Sequence, residues 1–302
     1  MFKNVFICRL QSFSIDQPDV LESFMQAFQF IPCSGSQEKS VGWVPPRGQA
    51  HGPLFEVVAG HVVLKFMSEV KVVPSSVVKR MADEKAKQIE NSSGRKPGKK
   101  EMREMREDLR VSLLPMAFTK VSTVMVWIDP SNNSLVLDVS SLSKADEVIT
   151  LLMKTWADFS VKQLNTNISP STAMSNWLLT HESPDCFSIE RECELKADDE
   201  SKSVVRYTRH SLNLEEISQH IVSGKLPTRL ALTWKERVSF VLSESGLLKK
   251  VSFTDIVFED HPSSINDVKD DSFDSDVAIA TGELSQLLPD LIESLGGELA
   301  LV

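Results

Sequence analysis

The stretch KVVPSSVVKRMADEKAKQIENSSGRKPGKKEMREMREDLRVSLLPMAFTK, residues 71–120, decides how this chain is read. It holds thirteen Lys or Arg and seven Asp or Glu, a balance of +6 in a chain of net charge -9, so the remaining residues carry -15. A basic island in an acidic protein matters because attraction to phosphate depends on a local patch, not on the average. Val77, Val78, Met81, Ala82, Ala86 and Ile89 recur at close to helical spacing. Gly94, Pro97 and Gly98 interrupt the pattern. A second helical stripe follows at Met102, Met105, Leu109 and Leu113, with Arg103, Arg106 and Arg110 on a different face. The spacing predicts an antiparallel helical hairpin with a basic tip of Arg95, Lys96, Lys99 and Lys100, whose loop holds no carboxylate. The plainer alternative is a solvated helix pair laced with Glu–Lys pairs.

Outward from the island, the chain alternates strands and helices without regular βαβ order, which predicts an α+β fold with mixed or antiparallel sheets. Residues 2–10 read as a strand. Val20 to Phe30 reads as a helix with Val20, Phe24, Ala27 and Phe28 on one face, capped by Asp16 or Asp19. Cys33 to Gly52 reads as a loop, and Leu54–Ala59 and His61–Phe66 as strands about Gly60. Pro74-Ser75-Ser76 opens the hairpin, with a Ser as cap. Strands at Ala117–Ile128 and Ser134–Val139 and a helix at Ser143–Trp156 follow the hairpin. Beyond Asn165 come a helix at Thr172–Thr180, strands at Cys186–Leu195 and Ser203–Thr208, and a helix capped by Asn213. Three further strands then lie between Lys225 and Phe253, and a helix at Gly282–Leu295 ends the pattern. Asp255 to Asp276 is expected to be an acidic, loop-rich segment. This divides the chain into a central α+β region (1–74 plus 115–165), the basic hairpin (75–114) and a second α+β region with a C-terminal helix (166–302).

A chain of 302 residues buries a sizeable core without staples. Cys8, Cys33, Cys186 and Cys193 are too sparse for a disulfide scaffold and fit a reducing cytoplasm as small hydrophobes. No run reaches 18 apolar residues, and Arg9 interrupts the first strand too early for a signal peptide. Trp43, Trp127, Trp156, Trp177 and Trp234 are expected in the core. Phe118, at the junction of hairpin and strand, reads either as core or as an exposed wedge at a subunit contact.

The screen for chemistry is mostly negative. There is no phosphate loop, no His-Glu-x-x-His and no Gly-x-Ser-x-Gly, and the six histidines are scattered, so no metal or other cofactor is expected. One enzymatic pattern remains. Pro184-Asp185 followed by Glu194-Leu195-Lys196 spells the arrangement in which two carboxylates hold Mg²⁺ and a Lys polarises water in many nucleases. A strand turning Glu190, Glu192, Glu194 and Lys196 outward explains the same residues. A non-enzymatic binder is the main expectation, with the nuclease and a protein-docking module that never touches DNA as alternatives.

Several stretches spread in order over the whole chain resemble the RdgC family. They are Gly42-Trp43-Val44-Pro45-Pro46, Ser112–Phe118, Trp127-Ile128-Asp129, Leu230-Ala231-Leu232-Thr233-Trp234, Thr281-Gly282-Glu283-Leu284 and Leu291 to Glu298. The resemblance implies a nucleoid-associated homodimer that closes into a ring around double-stranded DNA without sequence preference. It also implies that recombination is modulated by limiting access of RecA to the DNA. On this reading Arg95, Lys96, Lys99, Lys100, Arg103, Arg106, Arg110, Lys120 and Arg209 face DNA. Phe118, with the pair Arg209-His210, forms the gate between subunits. This chain departs from the family pattern at that pair, where relatives resemble Lys-Gln, and at Met116, where an Arg is expected.

Overall fold

The structure is a computed structural model that describes residues 2–12, 18–212, 215–260 and 269–299. At its centre is β1 (Asn4–Ser12). Side chains alternate across a strand. Val5 and Ile7 accordingly enter one apolar core, while Phe6, Cys8 and Leu10 enter another. The run is apolar at successive positions because both faces are covered. β1 pairs antiparallel with β6 (Ser134–Leu137) and β7 (Ser160–Gln163), and through Asn4 and Val5 with β12 (Leu248–Phe253).

The sheet grows outward from β1 in both directions. Beyond β6 come β5 (Phe118–Asp129), β4 (His61–Val72) and β2 (Lys39–Val44), with β3 (Phe55–Val58) also on β4. Beyond β12 come β11 (Val238–Ser243), β10 (Lys225–Trp234), β8 (Phe187–Ala197) and β9 (Val204–Thr208). Among the described residues, twelve strands thus form one sheet, and every ladder in it is antiparallel.

Helices cover both faces, giving the α+β architecture expected. α1 (Pro18–Gln26) and α4 (Leu142–Thr155) bury Met25, Ala145, Val148 and Leu152 against Phe66, Val126 and Leu137. On the other core, α5 (Pro170–Thr180), α6 (Glu215–Val222) and α8 (Lys269–Ser294) bury Met174, Trp177, Ile217, Leu284, Leu287 and Leu291. All five Trp are buried. Trp43 Nε1 donates to Thr155 Oγ1 at 2.8 Å, and Trp234 Nε1 donates to Asp290 Oδ2 at 2.7 Å. Each bond spares a buried donor the ~1–3 kcal/mol cost of standing unpaired.

Several sequence expectations need correction. The supposed loop at 33–52 contains β2. Gly42 reads as a breaker but is there for space: a Cβ would lie 2.4 Å from Phe30 Cα. Phe30 comes that close because its N–H donates to Trp43 O at 2.9 Å, and Trp43 N–H donates to Phe28 O at 3.0 Å. In α1 the inward residues are Met25 and Leu21, joined by Phe28 just beyond the helix, while Val20 and Phe24 face solvent. The acidic segment is more helical than expected. Where described, it forms α7 (Asp255–Asp260) and the first turns of α8, which runs through Gly282, while residues 261–268 of it lie outside the described residues. Of the cysteines, Cys8 and Cys193 are buried, but Cys186 is exposed and Cys33 half-buried. Asp16, Asn213 and His261 lie outside the described residues. No helix of the described residues is long and apolar enough to cross a membrane.

Candidate nucleic-acid interface

The basic island forms α2 (Ser75–Ser93) and α3 (Lys99–Leu113), followed by a 3-10 turn at Leu114–Met116. α2 stops where expected: Gly94 takes φ 71° and returns its N–H to Glu90 O at 2.9 Å. A left-handed residue here favours glycine because a Cβ would clash with the backbone. The start of α2 differs from expectation, since Pro74 occupies the cap position and no side chain caps the helix. Gly98 opens α3, and the Glu101 carboxylate accepts from its N–H at 3.4 Å. Val78, Ala82 and Leu109 are buried between the two helices, with Met102, Met105 and Leu113 packed beside them. The predicted apolar stripe of α3 therefore faces α2, and Arg103, Arg106 and Arg110 stay exposed.

The basic tip is not free of carboxylates. Its loop has none, but the flanking helices supply them. Arg95 Nη1 lies 2.9 Å from Glu101 Oε2, Lys96 Nζ lies 3.5 Å from Glu90, and Lys100 Nζ lies 3.8 Å from Glu104. The hydrogen bond from the Arg95 guanidinium holds the Glu101 carboxyl below its ordinary range. Further along α3, Arg110 Nη2 reaches Glu38 Oε1 at 2.9 Å. Among the described residues, Lys79, Lys99, Arg103 and Arg106 have no carboxylate within ion-pair distance. Exposed pairs of this kind hold at most about 1 kcal/mol, so phosphate can displace them. Glu38 and Lys79 were not singled out from the sequence. Glu38 is distant from Arg110 in the chain, and no local pattern points to the pair.

The remaining candidates fall in two places. Phe118 begins β5 opposite Val72 and is 88 % exposed, and Met116 beside it is 76 % exposed. Residues Phe118 to Thr123, Lys120 among them, are exposed on both faces of the strand. β6 pairs only with Val126–Asp129, so among the described residues the first half of β5 has one open edge. Of the two readings of Phe118, the core reading fails. Arg209 and His210 are exposed and follow β9, with Arg209 at φ 55° and His210 N–H donating to Arg191 O at 3.2 Å. β5 and β9 are seven strand steps apart in the sheet, about 34 Å at ~4.8 Å per step. Among the described residues, no ladder, hydrogen bond or ion pair joins Phe118 to Arg209 or His210.

The nuclease-like trio is not assembled. Asp185 sits in the turn before β8, closed by Phe187 N–H donating to Pro184 O at 3.0 Å, while Glu194 and Lys196 lie far along the same strand. Phe187 and Glu194 are about 23 Å apart at ~3.3 Å per residue, too far to share an ion. Glu194 is engaged elsewhere: Arg206 Nε donates to it at 2.6 Å and Thr228 Oγ1 at 2.8 Å. Burial pushes its carboxyl upward, but these bonds, with Arg229 nearby, bring it below its ordinary value. Among the described residues no cluster of three His, Cys, Asp or Glu suits a metal.

The comparisons with known proteins cover the chain nearly end to end. A family model described as "Putative exonuclease, RdgC" matches residues 1–298. Three similar proteins share the name Recombination-associated protein RdgC. The one from Herminiimonas arsenicoxydans is 41% identical over 299 residues, covering 99% of each chain. The one from Dechloromonas aromatica (strain RCB) is 41% identical over 301 residues, covering 98% of each. The one from Bordetella pertussis is 40% identical over 297 residues, again covering 98% of each.

Proposed function

The chain belongs to the RdgC family, and from that premise we propose that it is a non-enzymatic protein that binds double-stranded DNA without sequence preference. α2 and α3 act as a basic hairpin arm laid along the phosphate backbone. Two copies close into a ring, with Phe118 and the pair Arg209-His210 forming the gate between subunits. DNA held in the ring is withheld from RecA, which is how the protein modulates recombination at the nucleoid.

The observation that carries this reading is the row of exposed cations on α3, Lys99, Arg103 and Arg106, without carboxylate partners among the described residues, on an otherwise acidic chain. Helix geometry spaces them about 6 and 4.5 Å apart along the axis. None of the three side chains reads a base unless it enters a groove, and phosphate contacts carry no sequence information. Ring closure rests on a second observation. The two halves of the gate, the open edge of β5 and the end of β9, lie about 34 Å apart along the sheet of one chain, which favours their meeting between two copies.

Equilibrium binding to duplexes of unrelated sequence, at several salt concentrations, tests the reading. Equal affinities that fall steeply with salt are expected, with a sedimenting mass of two chains. Circular duplex should stay bound at salt that strips linear duplex, because a closed ring slides off an end. Sequence-selective binding with a shallow salt dependence overturns the reading. Linear duplex incubated with Mg²⁺ should keep its length, and progressive shortening would establish exonuclease chemistry instead.

A further inference from the structure

A cleft of about 680 Å³ opens between the start of α2 and the last turns of α3. Its floor is Val73 and Val78. Ser75, Ser76 and Lys79 line one wall, and Arg106, Glu107 and Arg110 line the other. Three cations against one carboxylate leave the lining net positive. Lys79 and Arg106 are unpaired among the described residues, whereas Arg110 is held by Glu38 at 2.9 Å from outside the cleft. Glu38 is itself fixed, because its backbone O accepts from Lys71 N–H at 2.8 Å just before β2.

We propose that this cleft binds one backbone phosphate of the duplex, and that Glu38 occupies Arg110 as an internal stand-in until the phosphate displaces it. The inference rests on the DNA-binding reading above and assigns it a specific subsite and a built-in competitor. A guanidinium presents the same two-pronged donor edge to carboxylate and to phosphate, so one exchanges for the other without rebuilding the site. Lys79 and Arg106 supply the remaining charge, and the Ser75 and Ser76 hydroxyls supply neutral donors. A phosphodiester fits better than a free phosphate ion. Beyond the cleft, exposed Arg103 and Lys99 follow on α3 about 4.5 and 10.5 Å from Arg106, and only a ligand with repeated phosphates uses them all.

The test is binding of a short duplex to the full chain carrying Glu38→Gln, Arg110→Gln, or both. Glu38→Gln should tighten binding about five-fold, because Arg110 is then free. Arg110→Gln should weaken it by a similar factor, and the double variant should match Arg110→Gln alone. Arg106→Gln should lower the salt slope by about one. Inorganic phosphate should compete only weakly; strong competition would replace the phosphodiester with the free ion. If Glu38→Gln leaves affinity unchanged or weakens it, Glu38 merely positions Arg110 and the proposal falls while DNA binding stands. If the unaltered chain does not bind duplex at all, both readings fall. Thermal unfolding checks each variant; if Arg110→Gln does not fold, the sign of the Glu38→Gln effect decides alone.

Discussion

Replacing Lys99, Arg103 and Arg106 together by Gln tests the interface most directly. Among the described residues these three side chains have no carboxylate partner, so in the complex each neutralises phosphate and releases its counterions. Each phosphate neutralised contributes roughly -0.9 to the slope of log affinity against log salt. Three contacts contribute about -2.7. Between 50 and 200 mM salt the unaltered chain should therefore lose about 40-fold more affinity than the triple variant. A control set, Arg95, Lys96 and Lys100 replaced by Gln, removes the same charge. Those cations already lie beside Glu101, Glu90 and Glu104, and their replacement should shift the slope by much less than about 2.7 in magnitude. The assay is fluorescence anisotropy of a labelled duplex at five or more salt concentrations, with circular dichroism to show that both variants fold. If both sets shift the slope equally, total charge alone governs binding and the assignment to the α3 row is wrong. If neither shifts it, α3 does not meet DNA.

Phe118→Ala should leave the chain folded, because the ring is 88 % exposed, yet weaken closure of two copies. Burying such a ring is worth about 2 kcal/mol per copy, so a two-fold contact loses about 4 kcal/mol, roughly a thousandfold; an unchanged sedimentation profile would remove Phe118 from the contact. Asp290 gives a pH signature. Burial raises its carboxyl, but the bonds from Trp234 and Lys235 outweigh it and hold the folded value below the ordinary 3.8. Its stabilisation is then complete above about pH 4 and lost as pH falls through the lower folded value, so Asp290→Asn should flatten acid unfolding in that range, at a cost of about 1 kcal/mol near neutrality. Thiol labelling at pH 8 should modify Cys186 and Cys33 but spare Cys8 and Cys193, whose thiols burial pushes up to about 12; four reactive thiols in the native protein would contradict their burial.

The parts legible in the sequence were those fixed by local periodicity. The Met102, Met105, Leu109 stripe specifies a helix whichever neighbour it finds, and Gly94 specifies its predecessor's end. β2 was not legible, because Gly42 looks like a breaker until Phe30 is seen lying on it. The first turns of α8 were hidden by acidic residues, which favour loops only when no sheet buries residues such as Val277 and Ala280. The site divided in the same way. The shared face of Arg103, Arg106 and Arg110 could be read from spacing, but Lys99 reads as part of the tip, and the carboxylates answering Arg95, Lys96 and Arg110 come from other elements, a pairing set by packing. Likewise Asp185 and Glu194 are close enough in sequence to suggest a shared ion, and only the extended run of β8 separates them.

The position of β1 also sets the timing of synthesis. Asn4 is made near the start of translation, and its ladder partner Lys249 is made 245 residues later. At 5–20 residues per second, a ribosome needs about 12 to 50 s to bridge that interval. During it, Asn4 and Val5 lack their β12 partners while β7 already pairs further along the same flank, and Val5 and Ile7 await the layer that α8 brings. Closing so distant a pair is slow in itself. A stall before Lys249 therefore leaves an unsatisfied strand edge on the nascent chain, open to its neighbours on the same polysome.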